Sequence, residues 1–133
     1  MTPPACLTAI DWIVARRGDD VRCALNLAGH DGWCCSTPAG FCVATEIPID
    51  DPTDIPTRWL HGITLAVAGS ADLQDDQLCI ANAKLWWVHH FSASACTAVV
   101  EAHLNRQLLA CDLLARQAEQ ARPANADHAS IRP

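Results

Sequence analysis

The sequence predicts an α+β domain: a helix, a three-stranded antiparallel meander, a short helix, two further strands and a long C-terminal helix. Three observations carry that expectation. Short β-forming runs with Gly-containing turns between them fill residues 23–47. A run apolar on both faces follows at residues 84–91, and from Cys96 the apolar period becomes helical. With 133 residues, half of them apolar, the chain has the size of one core. Residues 1–122 are expected to make that single domain and 123–133 a polar, disordered tail.

The first element reads as a helix with both ends marked. Thr2 can cap it, Pro3 and Pro4 suit its first turn, Arg16 and Arg17 its last, and Gly18 its stop. Helical stepping puts Cys6, Leu7, Ile10, Ile13 and Val14 on one arc, with Trp12 about 160° from its centre. A tryptophan there would need a second surface to bury it.

The meander follows as Cys23–Leu27, Trp33–Ser36 and Phe41–Ile47, with turns at 29–32 and 38–40. Pro48 to Pro56 is acidic and proline-rich, hence a loop. Trp59 to Ala68 fits a helical face through Trp59, Leu60, Ile63 and Val67. It also fits strand alternation through Ile63, Leu65 and Val67, and we read it as a helix. Gly69 to Gln77 reads as a polar connection. Leu78–Ala81 and Lys84–Phe91 read as strands joined tightly at Asn82-Ala83. Leu85-Trp86-Trp87-Val88 then belongs to a central strand or an interface. Ser92 or Ser94 caps the last helix, which carries Cys96, Val100, Leu104, Leu108, Cys111 and Leu114 on one arc and Leu109 nearly opposite.

Charge narrows the partner. The net charge is −6 with nine Lys and Arg, so no basic stripe is evident to neutralise phosphates, and neither nucleic acid nor an anionic membrane is expected. No apolar run approaches the roughly 20 residues of a membrane helix. No secretory signal opens the sequence, which points to the cytosol. There the eight cysteines, nearly all inside apolar runs, are expected to be reduced core residues.

Catalysis and metal find little support in the spacing. Cys34-Cys35 with His89-His90, or Cys96, His103 and Cys111, are the strongest ligand sets, but neither contains a paired-ligand zinc spacing. Neighbouring strand residues also point to opposite faces. No metal, cofactor or catalytic residue is therefore assigned. There is no nucleophile elbow and no phosphate-binding loop. The carboxylates at Asp50-Asp51-Asp54 and Asp72-Asp75-Asp76 read as solvated loop residues. Trp12, Trp33, Trp59, Trp86 and Trp87 exceed what one small core can hold with every indole N–H satisfied, so some are expected at an interface.

The meander from Ala24 to Ile47, the strand Lys84-Leu85-Trp86-Trp87-Val88-His89-His90-Phe91-Ser92 and the amphipathic stretch Cys96 to Ala115 together resemble the class I type III secretion chaperones of the Tir-chaperone (CesT-like) family. The resemblance spans roughly residues 5–120, the length of a typical domain. It implies a non-enzymatic chaperone that keeps a segment of a secreted effector or gatekeeper protein extended. It also implies a homodimer, or a heterodimer with another small chaperone. By position, Trp12, Ile13, Phe41, Val43 and Ile47 become the client-side candidates. Trp59, Ile63, Trp86 and Val88 become the dimer-side candidates. A small Cys/His-dependent metal or thiol enzyme, or a regulatory or structural subunit of a secretion apparatus, are the alternatives.

Overall fold

The computed structural model describes residues 1–70 and 75–121. Asp72 and the expected tail, residues 123–133, lie outside them. The chain is α+β, with six strands in one antiparallel sheet and a long C-terminal helix. The elements are α1 (Ala5–Thr8), β1 (Ile13–Gly18), β2 (Arg22–Leu27), β3 (His30–Thr37), β4 (Gly40–Ile47), a 3-10 turn (Pro52–Asp54), α2 (Thr57–Gly69), β5 (Asp76–Ala81), β6 (Lys84–Ser92) and α3 (Thr97–Ala121). Spatial order in the sheet is β1-β2-β3-β4-β6-β5, so β1 and β5 are its edges.

The first expectation is corrected. The helix that sequence reading carried from Thr2 to Arg17 is a single turn, and residues 13–18 are an edge strand paired to β2 with Ile13 opposite Leu27. Both conformations meet the same apolar demand. Leu7, Ile10 and Ile13 enter the core as a helix arc would have placed them, but a turn followed by a strand delivers them. Ile13 and Val14 are β-branched and stiff at χ1, which favours the strand. Val14, which the helical arc would have buried, is exposed.

The three-stranded meander, the helix at residues 59–68 and the final strand pair occur where they were expected. Asn82 and Ala83 both take positive φ, 55° and 61°, the geometry of a two-residue hairpin turn whose twist matches the strands it joins. That turn fixes the register, so Asp76 lies opposite His89 and Leu78 opposite Trp87. The polar connection ends sooner than read, because Asp76 and Gln77 are already strand. In the acidic loop, Asp51 accepts the Thr53 N–H and nucleates the 3-10 turn, while Ile49 and Ile55 anchor it in the core.

Alternation divides every strand between two faces. On one, Leu25, Leu27, Cys34, Val43 and Phe91 meet Leu7 and Ile10 and the α3 residues Val100 and Leu104. Ile47, Leu85 and Trp87 continue that layer against Val67 of α2 and Cys111, Ala115 and Ala118 of α3. α3 buries Val100, Leu104, Gln107, Cys111, Ala115 and Ala118, one stripe at helical spacing. Cys96, assigned to that arc, is exposed just before the helix starts, and Ser92 accepts the Ser94 N–H in the turn ahead of it. On the opposite face Cys42, Ala44, Trp86 and Val88 cluster with Trp33, Cys35, Cys79 and Ala81, and no helical residue joins them. Among the described residues no helix is long and apolar enough to cross a membrane.

Candidate functional site

The helix-free face ends, toward β1, in a trough of about 360 Å³. Its lining includes Arg16, Arg17, Arg22 and Lys84, four of the nine basic residues in the chain, set around Trp33 and Trp86. The sequence shows no basic stripe, and these basic residues share the trough's lining with Asp19 and Asp31. The concentration is spatial. Arg16 and Arg17 come from β1, Arg22 from β2 and Lys84 from the start of β6.

Local structure explains how two adjacent arginines reach one trough. Pairing of β1 with β2 shifts register between Ala15 and Gly18, which breaks the alternation that would send neighbours to opposite faces. Gly18 sits where a Cβ would stand 2.5 Å from the Arg22 carbonyl oxygen, so only glycine permits this approach. The Asp19 carboxylate accepts the N–H groups of Val21 and Arg22, which close the β1–β2 turn and hold its carboxyl below the usual range.

Electrostatics within the trough are uneven. Lys84 is met by Glu46 at 3.3 Å and Asp31 at 3.4 Å, which raise its ammonium pKa and neutralise its charge locally. The Arg22 guanidinium carbon lies over the Trp33 ring, 4.3 Å from its centroid, a cation–π contact. Trp33 meets Trp86 edge to face at 6.1 Å. Trp86 donates to the Ala81 carbonyl at 3.0 Å, whereas the buried Trp33 Nε1 has no hydrogen-bond partner. Arg16 and Arg17 are exposed and make no ion pair among the described residues. The β1 end therefore offers two arginines without an ion pair among the described residues, beside the Asp19 carboxylate.

A second polar group lies on the other face, under α3. Asp76, read from sequence as a solvated loop carboxylate, has a fully buried side chain. Trp87 Nε1 donates to its Oδ1 at 2.7 Å and His89 Nδ1 donates to the same oxygen at 2.9 Å. His103 Nε2 stands 3.6 Å away, beyond hydrogen-bond reach but close enough for charge attraction. Burial pushes this carboxyl up, but His103, His89 and Trp87 together outweigh it and hold the group well below the usual carboxylate range. The His89 and His103 rings stack at 3.5 Å. One turn along α3, Gln107 Nε2 donates to Thr45 Oγ1 at 2.8 Å and to the Trp87 carbonyl at 3.2 Å. Neither cysteine–histidine set considered from the sequence is assembled here. His89 and His90 face opposite ways, and the group of potential ligands that does converge is Asp76, His89 and His103.

The sequence candidates separate by face. Ile13, Phe41, Val43 and Ile47 are buried beneath the helices, so their side chains are core and present no client surface. Trp12 is not on the far side of a helix. It follows α1, half-buried, and donates to Glu101 Oε2 of α3 at 2.9 Å. Trp59 and Ile63 pack from α2 onto the helix-covered face, whereas Trp86 and Val88 are on the other, so the four do not make one patch. Ile63 does line a shallow apolar groove of about 270 Å³ between α2 and α3, with Val67, Trp87, Leu113 and Leu114.

The eight cysteines are all free. Burial pushes the thiols of Cys34 and Cys42 up to about 12 and that of Cys111 higher still, a setting opposite to that of a thiolate nucleophile. Comparison of the chain with protein-family models, with curated proteins and with solved structures finds no match, so the ground for its function is the chemistry of these two sites.

Proposed function

We propose that this chain is a non-enzymatic binding protein that holds an acidic, extended polypeptide segment along β1 and over the adjoining trough. The observation that supports this most is the gathering of Arg16, Arg17 and Arg22 around Trp33 at the β1 edge of the sheet. An edge strand offers unpaired N–H and C=O groups to an added strand. Arginine forks recognise carboxylates in two-pronged pairs, and the half-buried Trp33 indole adds apolar contact. The three features together suit a chain with backbone to pair and acidic side chains to recognise. A nucleic acid would bring a continuous row of phosphates against a protein of net charge −6, with one cationic trough to meet it.

In its specific form, the proposal is a type III secretion chaperone of the cytoplasm. Its client would be a secreted effector or gatekeeper protein, held without chemistry. The order of meander, α2, β5–β6 hairpin and α3 supports that form. The additional edge strand β1 and the short α1 depart from the expected pattern. The homodimer such a chaperone needs would place a second copy of this chain on the α2–α3 groove, where Leu113 is 55% exposed.

Fluorescence anisotropy tests the binding mode. A labelled flexible peptide rich in Asp, Glu and aromatic residues should bind, with affinity falling as salt rises. A peptide with Lys in place of the acids should not. Equal binding of both, or binding unchanged in Arg16→Ala/Arg17→Ala, would contradict the assignment. Tighter binding of single-stranded oligonucleotide than of the acidic peptide would replace the polypeptide by nucleic acid. Light scattering tests the dimer separately, with Leu113→Glu expected to give monomer.

A further inference from the structure

We propose that Asp76, His89 and His103 form a binding site for a divalent transition ion of zinc's class, tying α3 to the β5–β6 hairpin. The donor atoms of the three side chains lie within 4.8 Å of one another. They come from three elements: Asp76 opens β5, His89 faces it across the register on β6, and His103 reaches down from α3. Two imidazoles and one carboxylate, with a fourth position left to water, form a recurrent donor set for zinc and for ferrous iron.

An independent observation points to a ligand. The Asp76 side chain is fully buried, yet its Oδ2 has no hydrogen-bond partner, and neither has the buried Nε2 of His103. Natural proteins leave few buried polar atoms unpaired, and each calls for a cause. A cation held by Oδ2 and by His103 Nε2 accounts for both at once, because an imidazole lone pair and a carboxylate lone pair both need a positive partner. His103 Nε2 lies 3.6 Å from Asp76 Oδ1, too far for a hydrogen bond to that oxygen.

The donors lie close together and their surroundings suit an ion. Asp76 Oδ1 is 2.9 Å from His89 Nδ1 and 3.6 Å from His103 Nε2. The two imidazoles stack at 3.5 Å, closer than two rings ligating one tetrahedral ion can lie, so binding requires one ring to swing out of the stack toward the ion. Binding replaces the His89 Nδ1 proton that Asp76 accepts, as metal binding commonly does. Trp87 Nε1 donates to Asp76 and orients the carboxylate, the supporting contact that metal ligands usually have. Phe91 meets both imidazoles edge-on, with centroids 4.4 Å and 5.4 Å away, and restrains them. His89 and His103 keep 13% and 17% of their side-chain surface exposed, which leaves solvent a way to the fourth position. Calcium and magnesium are disfavoured, since they require mostly oxygen donors.

The site lies on the face opposite the arginine trough, so it stands or falls independently of the polypeptide-binding proposal. Full-length protein, reduced and stripped with chelator, is titrated with Co²⁺ as the spectroscopic probe and then with Zn²⁺. The expected result is stoichiometric binding with visible d–d bands, no thiolate-to-metal band in the near ultraviolet, and displacement by Zn²⁺. Zn²⁺ should also raise the melting temperature. His103→Ala, at a half-buried position of α3 where alanine suits the helix, should lose the bands while keeping its far-ultraviolet circular dichroism. Asp76→Asn, which keeps shape and the Trp87 contact, should weaken Co²⁺ binding at least tenfold. Absence of the visible bands in the wild-type protein would overturn the site, showing that water alone serves these atoms. A thiolate band that persists in His103→Ala would overturn it in favour of cysteine ligands.

Discussion

The two faces of the sheet are built from the same strands by alternation, and they differ in what finishes them. On the helix-covered face, Leu25, Val43, Leu85 and Phe91 are closed over by α1, α2 and α3, and even the polar residues Thr45, Asp76 and Gln107 are driven inside. On the other face, Trp33, Trp86, Cys42 and Val88 shield one another through the size of two indoles, and cations gather where the trough opens at β1. The first face is stabilised by burial under other elements. The second buries what it can with its own side chains and leaves charge at the edge. Two adjacent residues of one strand can therefore serve opposite purposes, as His89 and His90 do. A substitution on the covered face should act on stability, and one at the trough on binding.

Four variants sharpen or break that contrast, from the largest expected effect to the smallest. Leu104→Ala removes a fully buried α3 side chain from the covered layer and should cost about 2–5 kcal/mol in denaturant unfolding. A cost below 1 kcal/mol would mean α3 is loosely docked. Asp76→Ala, measured in chelator, leaves the Trp87 and His89 donors buried without their acceptor and should cost about 1–3 kcal/mol. The pair Arg16→Ala/Arg17→Ala should change stability by less than about 0.5 kcal/mol, because both side chains are exposed. The same pair should weaken acidic-peptide binding by about tenfold or more, the loss of charge-assisted hydrogen bonds. Ala83→Gly should stabilise the hairpin by roughly 0.5–1 kcal/mol, seen as a raised melting temperature. Ala83 holds φ at 61°, where a Cβ costs about 1–2 kcal/mol, part of which glycine returns as unfolded-chain entropy.

Much of the layer structure could be read from the sequence, because strand alternation and the α3 stripe report burial directly. Phe41 to Ile47 and Val100 to Ala115 say where the core is with no reference to what packs on them. The N-terminal segment could not be read that way. Leu7, Ile10 and Ile13 satisfy a helical arc, and only the long-range pairing of Ile13 with Leu27 selects the strand. Misreading it concealed the trough, since Arg16 and Arg17 look like helix-ending residues until a register shift turns both into one concavity. The client candidates Phe41, Val43 and Ile47 show the converse limit. Residue type marked them as important, but whether they face a partner or their own helix depends on α3, more than fifty residues away.

The Asp76 cluster was half legible. A two-residue turn at Asn82-Ala83 makes the register of the hairpin a matter of counting, and counting places Asp76 opposite His89. The third member, His103, sits at the border of the α3 stripe, and no local pattern fixes which strand residue it meets. Ligand spacing rules search along the chain, and this group has one member on each of three elements.

Backbone hydrogen exchange along β1, with and without the acidic peptide, tests the central claim most directly. Val14, Ala15, Arg16 and Arg17 lie on an exposed edge strand, and their exchange should slow when an added strand pairs with it. Slowed exchange confined to β1 and the Trp33 region is the predicted result. Peptide-dependent protection confined to α2 and α3, with β1 unchanged, would contradict the account and move the binding site to the helix-covered side.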